Sequence, residues 1–300
     1  MRVDGEMAAG LDNIVLGYRQ VYRSAGAASL LAPVCDTLGL LTELAPCAGS
    51  YRDRIVSLIG QAASLAGVIL MLDQGDPAAA GRYLAVAVRA ARQAGDVELL
   101  AITFGCQAFR SAYGGDIASG IEYAEEASGL AAAVGAHPLT RGWTAAVASE
   151  MHAMAGDENA CMRALDTSAV QLQAPGPDSP WKGIGAFSAA KLAAYRGGDL
   201  MRLSRYAEAQ AELHRALAEL DQAHAKHRCT AHVDLSTAFM LGGDIPEGVR
   251  HATAALDIIA ITRHADSLRR IAGLYEIAKP ARTAAVRELR SRLLEVTAAS

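Results

Sequence analysis

Aromatic residues are scarce in this chain: Phe, Tyr and Trp make up 5% of it, whereas hydrophobic residues as a whole make up 52%. A core drawn mainly from Ala, Leu, Val and Ile suits closely packed helices, because Ala has the highest helix propensity and lets backbones approach. Lysine is scarcer still. Only Lys182, Lys191, Lys226 and Lys279 occur among 28 basic residues, and this Arg- and Ala-rich usage fits a high-GC bacterial genome.

Other absences narrow the function. The five cysteines (35, 47, 106, 161 and 229) are odd in number and form no C-x-x-C pair. That excludes a disulfide framework and points to a reducing cytoplasm. A net charge of −4 and a pI near 6.1 give no global attraction to nucleic acid or anionic membrane. G-x-S-x-G, Walker A, H-E-x-x-H and dinucleotide-binding signatures are all missing. The expectation is therefore no catalytic residue, no cofactor and no metal. The opening "MRVDGEMAAG" has no apolar h-region, so no signal peptide is expected.

One long uncharged run is present, "IVSLIGQAASLAGVILML" from Ile55 to Leu72. It carries Gln61, two Ser and two Gly, and it stops at Asp73. A membrane span needs about twenty mostly apolar residues. A central helix packed on both sides is the better reading, and no membrane contact is expected.

What the chain does have is a repeat. Gly followed by Asp recurs with the aspartate at 76, 116, 157, 199 and 244, spacings of 40, 41, 42 and 45 residues. Gly can end a helix in the left-handed conformation. Asp can then cap the next helix by accepting backbone N–H bonds. Pro77 suits a first helical position, and Asp244-Ile-Pro-Glu247 reads as a capping box. Less uniform breaks fall between these marks, at Gly95-Asp96, Gly135 to Pro138, Gly176 to Pro180 and near His227.

Each unit is thus helix, turn, helix, turn in about 40 residues, the period of a solenoid of antiparallel helix pairs. Gly75-Asp76 would turn within a pair, and Gly95-Asp96 would turn onto the next inner helix. Gly198-Asp199 is the exception. The following "YAEA" matches "PAAA" after Asp76 only if the true turn is Leu203-Ser204-Arg205. That register puts Gly197 and Gly198 inside a helix crossing and predicts two helices near twenty residues each. No segment shows sustained strand alternation.

The expected fold is all-α, a right-handed α-α superhelix. Lead-in helices fill 1–50, helix-pair repeats fill 51–262, and capping helices fill 263–300. The polar stretch "QAPGPDSPWKG" at 173–183 is the expected bend.

At this level of pattern the chain resembles the tetratricopeptide repeat class. It is similar in particular to the C-terminal repeat region of actinobacterial XRE-type helix-turn-helix transcriptional regulators. The likeness is carried by "YRQVYRSAGAASLLAPVCDTLGLLTEL", "AGVILMLDQGDPAAAGRYLAVAVRAARQAGD", "PWKGIGAFSAAKLAAYRGGDLMRLSRYAEAQAELHRALAEL" and "HVDLSTAFMLGGDIPEGVRHATAALDI". Together these cover most of residues 15 to 275. Such regulators carry a DNA-binding domain ahead of the repeats. The likeness begins near Leu16, which leaves no room for that domain within these 300 residues. The resemblance therefore implies a sensor or interaction module that reaches DNA only through an absent or separate helix-turn-helix domain. Its partner would be a peptide, a small effector or another protein, and a homodimer is compatible with the fold.

The resemblance also implies that the first helix of each pair lines a concave groove. Polar and aromatic residues on those helices are the candidate ligand contacts. They are Tyr18, Arg19, Tyr22 and Arg23 in the lead-in, Gln61, then Gln107, Arg110 and Tyr113. Arg141, Trp143 and His152 follow, then Trp181, Lys182, Lys191 and Tyr195, and last His232 and Asp234. Arg can clamp a carboxylate or carbonyl, while Trp and Tyr give rigid contact at low entropic cost.

Four other features read as structural. "HAKHRCTAH" (224–232) has the wrong spacing for zinc and reads as a solvated helix start. Glu122, Glu125 and Glu126 read as a solvated face. The basic segment 263–292, eight cations against three carboxylates, reads as a polar outer cap. Tyr83 and Tyr123, each seven positions after a Gly-Asp aspartate, read as packing between helices.

Overall fold

The computed structural model describes residues 3–22, 27–176, 181–184 and 187–299. Fourteen α-helices and no strand are present among the described residues. The lead-in consists of α1 (Gly5–Val21) and α2 (Ala27–Leu44). Five antiparallel pairs follow: α3 (Arg52–Val68) with α4 (Pro77–Gln93), α5 (Val97–Tyr113) with α6 (Ile117–Ala133), and α7 (Pro138–Ala155) with α8 (Glu158–Leu172). The last two are α9 (Ala189–Arg202) with α10 (Tyr206–Glu219), and α11 (Ala225–Leu241) with α12 (Ile245–Thr262). A terminal pair, α13 (Ala265–Ala278) and α14 (Ala284–Ala299), packs on α11 and α12.

The punctuation works as its chemistry requires. Gly75, Gly95, Gly115, Gly156 and Gly243 all have positive φ. The aspartates after them, Asp76, Asp96, Asp116, Asp157 and Asp244, each accept the backbone N–H three residues on. The fourth mark departs as expected. Asp199 is buried inside α9, and the turn is made by Ser204 at φ 62°. Gly197 lets α10 close in, since a Cβ there would lie 2.5 Å from Leu213. The helix lengths differ from expectation: α9 and α10 have 14 residues each. Ser188 caps α9 late, and α10 ends where Leu220 turns extended.

The uncharged run is the central helix. It continues from α3 into a π-helical turn, Ile69–Asp73, and is buried almost without interruption from Gly60 to Met71. By length and composition two stretches could cross a membrane, Ser29–Cys47 and Gly49–Asp73. However, 83% of the apolar window in the second is buried inside the fold.

The first helices of the pairs follow one another in contact, α3 to α5, α7, α9, α11 and α13, and α13 then meets the Ile69–Asp73 turn. The superhelix thereby returns on itself. At the seam, Lys226 Nζ of α11 donates to Asp73 Oδ2 at 2.7 Å, with both side chains buried. "HAKHRCTAH" is therefore no solvated helix start: Lys226 is 4% exposed and Cys229 fully buried, because this helix start faces the seam.

The stretch 181–184 is held across the inside. Arg19 Nη1 donates to the Trp181 carbonyl at 2.9 Å, Trp181 Nε1 donates to Thr140 Oγ1 at 3.0 Å, and Lys182 pairs with Asp96 at 2.6 Å. The remainder of the expected bend includes 177–180, which lie outside the described residues.

Candidate functional site

The ring of inner helices encloses a cavity of about 160 Å³, partly open to solvent. Each helix contributes one stripe at helical spacing, as side chains three or four apart share a face. Val68, Met71 and Leu72 come from the central helix, Cys106, Phe109 and Tyr113 from α5, and Trp143 and Glu150 from α7. Lys191, Ala194, Tyr195, Gly198 and Arg202 run down α9, and Lys226, His227, Thr230 and Asp234 down α11. His264, Asp266 and Arg270 complete the ring from α13, with Tyr22 and Ile184 at its edges.

Packing makes room for the largest ring. A Cβ on Gly105 would lie 2.6 Å from the Trp143 indole, so glycine lets that indole lie against α5. Phe109 meets Trp143 edge-on at 6.4 Å between centroids and Tyr113 at 5.5 Å. An aromatic wall results from few aromatic residues.

The polar wall is organised around carboxylates that already have partners. Tyr113 Oη donates to Glu150 Oε1 at 2.7 Å, and Arg202 Nη2 donates to the same oxygen at 2.8 Å. Arg270 pairs with Asp234. Burial alone would weaken the Arg202 charge, but Glu150 and Asp234 outweigh it and hold the guanidinium above its usual value. Arg270 is held up in the same way, chiefly by Asp234. Beneath this wall Ser149 Oγ donates to Asp199 Oδ2 at 2.7 Å. Burial, then the Glu150 charge, push Asp199 well above the ordinary carboxyl range. Paired in this way, Glu150 and Asp234 act as fixed hydrogen-bond acceptors for the arginines.

At the seam, burial raises Asp73 to about 6, against the opposing pull of Lys226. Burial lowers Lys226, whose Nζ also sits 3.7 Å from the Tyr22 ring centroid. His264 caps α13 by accepting the Ser267 N–H on Nδ1, and burial lowers it to about 4. It is therefore neutral at pH 7.

The structure brings six of the candidate residues together around the cavity: Tyr22, Tyr113, Trp143, Lys191, Tyr195 and Asp234. The others lie elsewhere. Tyr18 bonds Thr37, and Arg19, Trp181 and Lys182 hold the 181–184 stretch. Gln61 donates to Ser57, while Gln107 accepts from Arg110. Arg141 stands at the start of α7, outside the lining. His152 is turned to Glu125 of α6 at 3.9 Å, and His232 meets His251 at 3.0 Å. Arg23 lies outside the described residues.

Sequence reasoning missed Glu150, Arg202, Lys226, His264 and Arg270. Arg270 belongs to the basic segment read as an outer cap, yet it points inward to Asp234. Its neighbours Arg269, Lys279 and Arg292 do make exposed pairs, with Asp266, Glu276 and Asp257. Glu122, Glu125 and Glu126 are exposed, as read. Tyr83 bonds Cys35, and Tyr123 lies 5.8 Å from the Phe104 ring, so both pack between helices.

Fold and cavity together define the class: an all-α solenoid of antiparallel helix pairs, closed around an internal cavity. Among solved structures the chain is similar to the crystal structure of BtubC (BKLC) from P. vanneervenii. The two share 15% identity at a TM-score of 0.52, over 78% of this chain and 91% of that one. At that identity the likeness speaks for the helical-repeat fold alone. No family model matches the sequence, and no curated protein matches it.

Proposed function

We propose that this chain is a non-enzymatic sensor module that takes a small effector in the central cavity. The module would belong to a bacterial transcriptional regulator of the XRE type. One observation carries the reading: side chains from six inner helices, charged or aromatic from five of them, converge on one partly enclosed space. A ligand there lies among side chains drawn from every repeat, so its binding energy can bias the curvature of the whole ring and whatever is attached to it. Among the partners the resemblance implies, the enclosure favours a small effector over an extended peptide, which needs an open groove. The carboxylates are held by arginines, an arrangement that suits recognition more than proton transfer.

Tryptophan fluorescence and thermal shift test the cavity reading, since Trp143 lines the cavity. Small molecules are expected to quench the signal and raise the Tm, with both effects lost when Ala194→Trp fills the cavity. Binding of long peptides alone, indifferent to that filling, would replace this reading with that of a protein–protein adaptor. The regulatory half is tested separately by identifying what co-purifies with the tagged protein in its host. A helix-turn-helix protein supports it, and enzymes of one biosynthetic pathway would favour a pathway accessory instead.

A further inference from the structure

Four cations line the cavity, and three are spoken for. Arg202 pairs with Glu150, Arg270 with Asp234, and Lys226 with Asp73. Lys191 is the fourth. Among the described residues it has neither an ion-pair partner nor a hydrogen bond from Nζ, which sits 5.2 Å from the Tyr195 ring centroid. Its position is adverse in two further ways. It sits in the first turn of α9, whose N-terminal end carries a positive partial charge. Burial also lowers its pKa, with Glu150 and Asp234 only partly restoring it. An unpaired cation in such a place lowers stability, as groups kept for binding often do.

The carboxylates give the complementary half of the inventory. Glu150, Asp234 and Asp73 are each matched to a cation, and Asp266 is matched to Arg269. A cationic ligand would find no unmatched partner, while a monoanion would find one.

We propose that the cavity receives a compact organic monoacid, its carboxylate bound by Lys191 Nζ at the start of α9 and its apolar body against Trp143, Phe109 and Met71. This inference rests on reading the cavity as the binding site. Size limits the body to about one ring, because an apolar cavity of about 150 Å³ accommodates benzene. The bound carboxylate completes the charge inventory that the protein leaves open and brings an acceptor to a donor otherwise facing an aromatic ring.

The test uses the full chain with benzoate, phenylacetate and 4-methylpentanoate, each beside its amide and its amine. Calorimetry and thermal shift are read for wild type, Lys191→Met, Lys191→Gln and Ala194→Trp, with circular dichroism to confirm folding. The acids are expected to raise the Tm and the amides and amines not to. Both Lys191 variants should weaken acid binding about tenfold or more, the scale of a lost charge-assisted hydrogen bond. Without ligand, Lys191→Met should melt no lower than wild type. Acids that bind the Lys191 variants as tightly as wild type overturn the proposal, as does a failure of every acid to bind. Amines or amides that bind while acids do not, and that Ala194→Trp blocks, overturn the monoacid and leave the cavity reading standing. Acid binding that survives Ala194→Trp removes the cavity reading itself.

Discussion

Lys226 and Lys191 face the same cavity in opposite circumstances. Lys226 lies at the seam, 2.7 Å from Asp73 and against the Tyr22 ring, and closes the superhelix. Lys191 lies on α9 with no ion-pair partner among the described residues, its Nζ 5.2 Å from the Tyr195 ring centroid. Both are lowered by burial, so desolvation does not distinguish them. The counter-ion does. A buried pair belongs to the architecture, because removing one member strands the other. A half-buried cation left without an ion-pair partner costs stability with no structural return, which is the mark of a group that waits for a ligand.

The largest expected effect follows from the seam. Lys226→Met should cost about 3–5 kcal/mol in urea unfolding, since Asp73 is left buried and unpaired. Asp73→Leu combined with Lys226→Met should recover most of that loss. Lys191→Met should leave stability unchanged or raised. Equal losses from the two single lysine changes would erase the distinction between them.

Acid sharpens the comparison next. Burial holds His232, His251 and His264 at about 4, below the ordinary histidine value. The unfolded chain therefore binds more protons between about pH 6.5 and 4, and stability present above that window is lost as pH falls through it. Asp73, raised to about 6, works the other way: its folded state gains stability as pH falls through 6 toward the unfolded value. From pH 7 to 5 the fully buried His264 should cost of order 1–2 kcal/mol and the mutually bonded His232 and His251 less than that each, offset by about 1 kcal/mol from Asp73. Melting curves across this range should fall, and fall more steeply in the Asp73→Leu, Lys226→Met double variant. A Tm independent of pH would show that these histidines are not buried in neutral form.

The smallest effect lies outside both regions. Ser204 holds a left-handed conformation in the turn between α9 and α10, where a side chain is strained by roughly 1 kcal/mol. Ser204→Gly should raise the Tm by a degree or two, from about 0.5 kcal/mol. No gain, or a loss, would mean that the hydroxyl earns its place through its contact with Tyr206.

Local structure was legible in the sequence because helix ends are written locally. Gly sets a positive φ, Asp caps the next turn, and the spacing of the pairs yields the helix count. Even the irregular Gly198-Asp199 could be placed, because "YAEA" fixed the register. Closure was not legible. Asp73 and Lys226 are 153 residues apart, and nothing near either names the other.

The site was partly legible for the same reason. Trp143, Tyr195 and Asp234 stand out as unusual residues on inner helices. Glu150, Arg202 and Arg270 look like ordinary surface charges until the ring closes over them. A usable signal did exist, in polar residues four apart on first helices: Lys191 with Tyr195, Thr230 with Asp234, and Asp266 with Arg270. Outer helices carry polar stripes too, so the pattern acquires meaning only once the inner faces are known to converge.

Closure of the ring underlies both the cavity and its charge inventory, and one crosslink tests it. A Cβ on Gly75 would lie 3.6 Å from that of Ala265, within the span of a disulfide. Gly75→Cys with Ala265→Cys should oxidise to an intramolecular bridge, seen by mass spectrometry as a single linked 75–265 peptide, despite the strain of a side chain at φ +66°. An open solenoid would hold these positions too far apart, and two free thiols under the same oxidation would contradict the account.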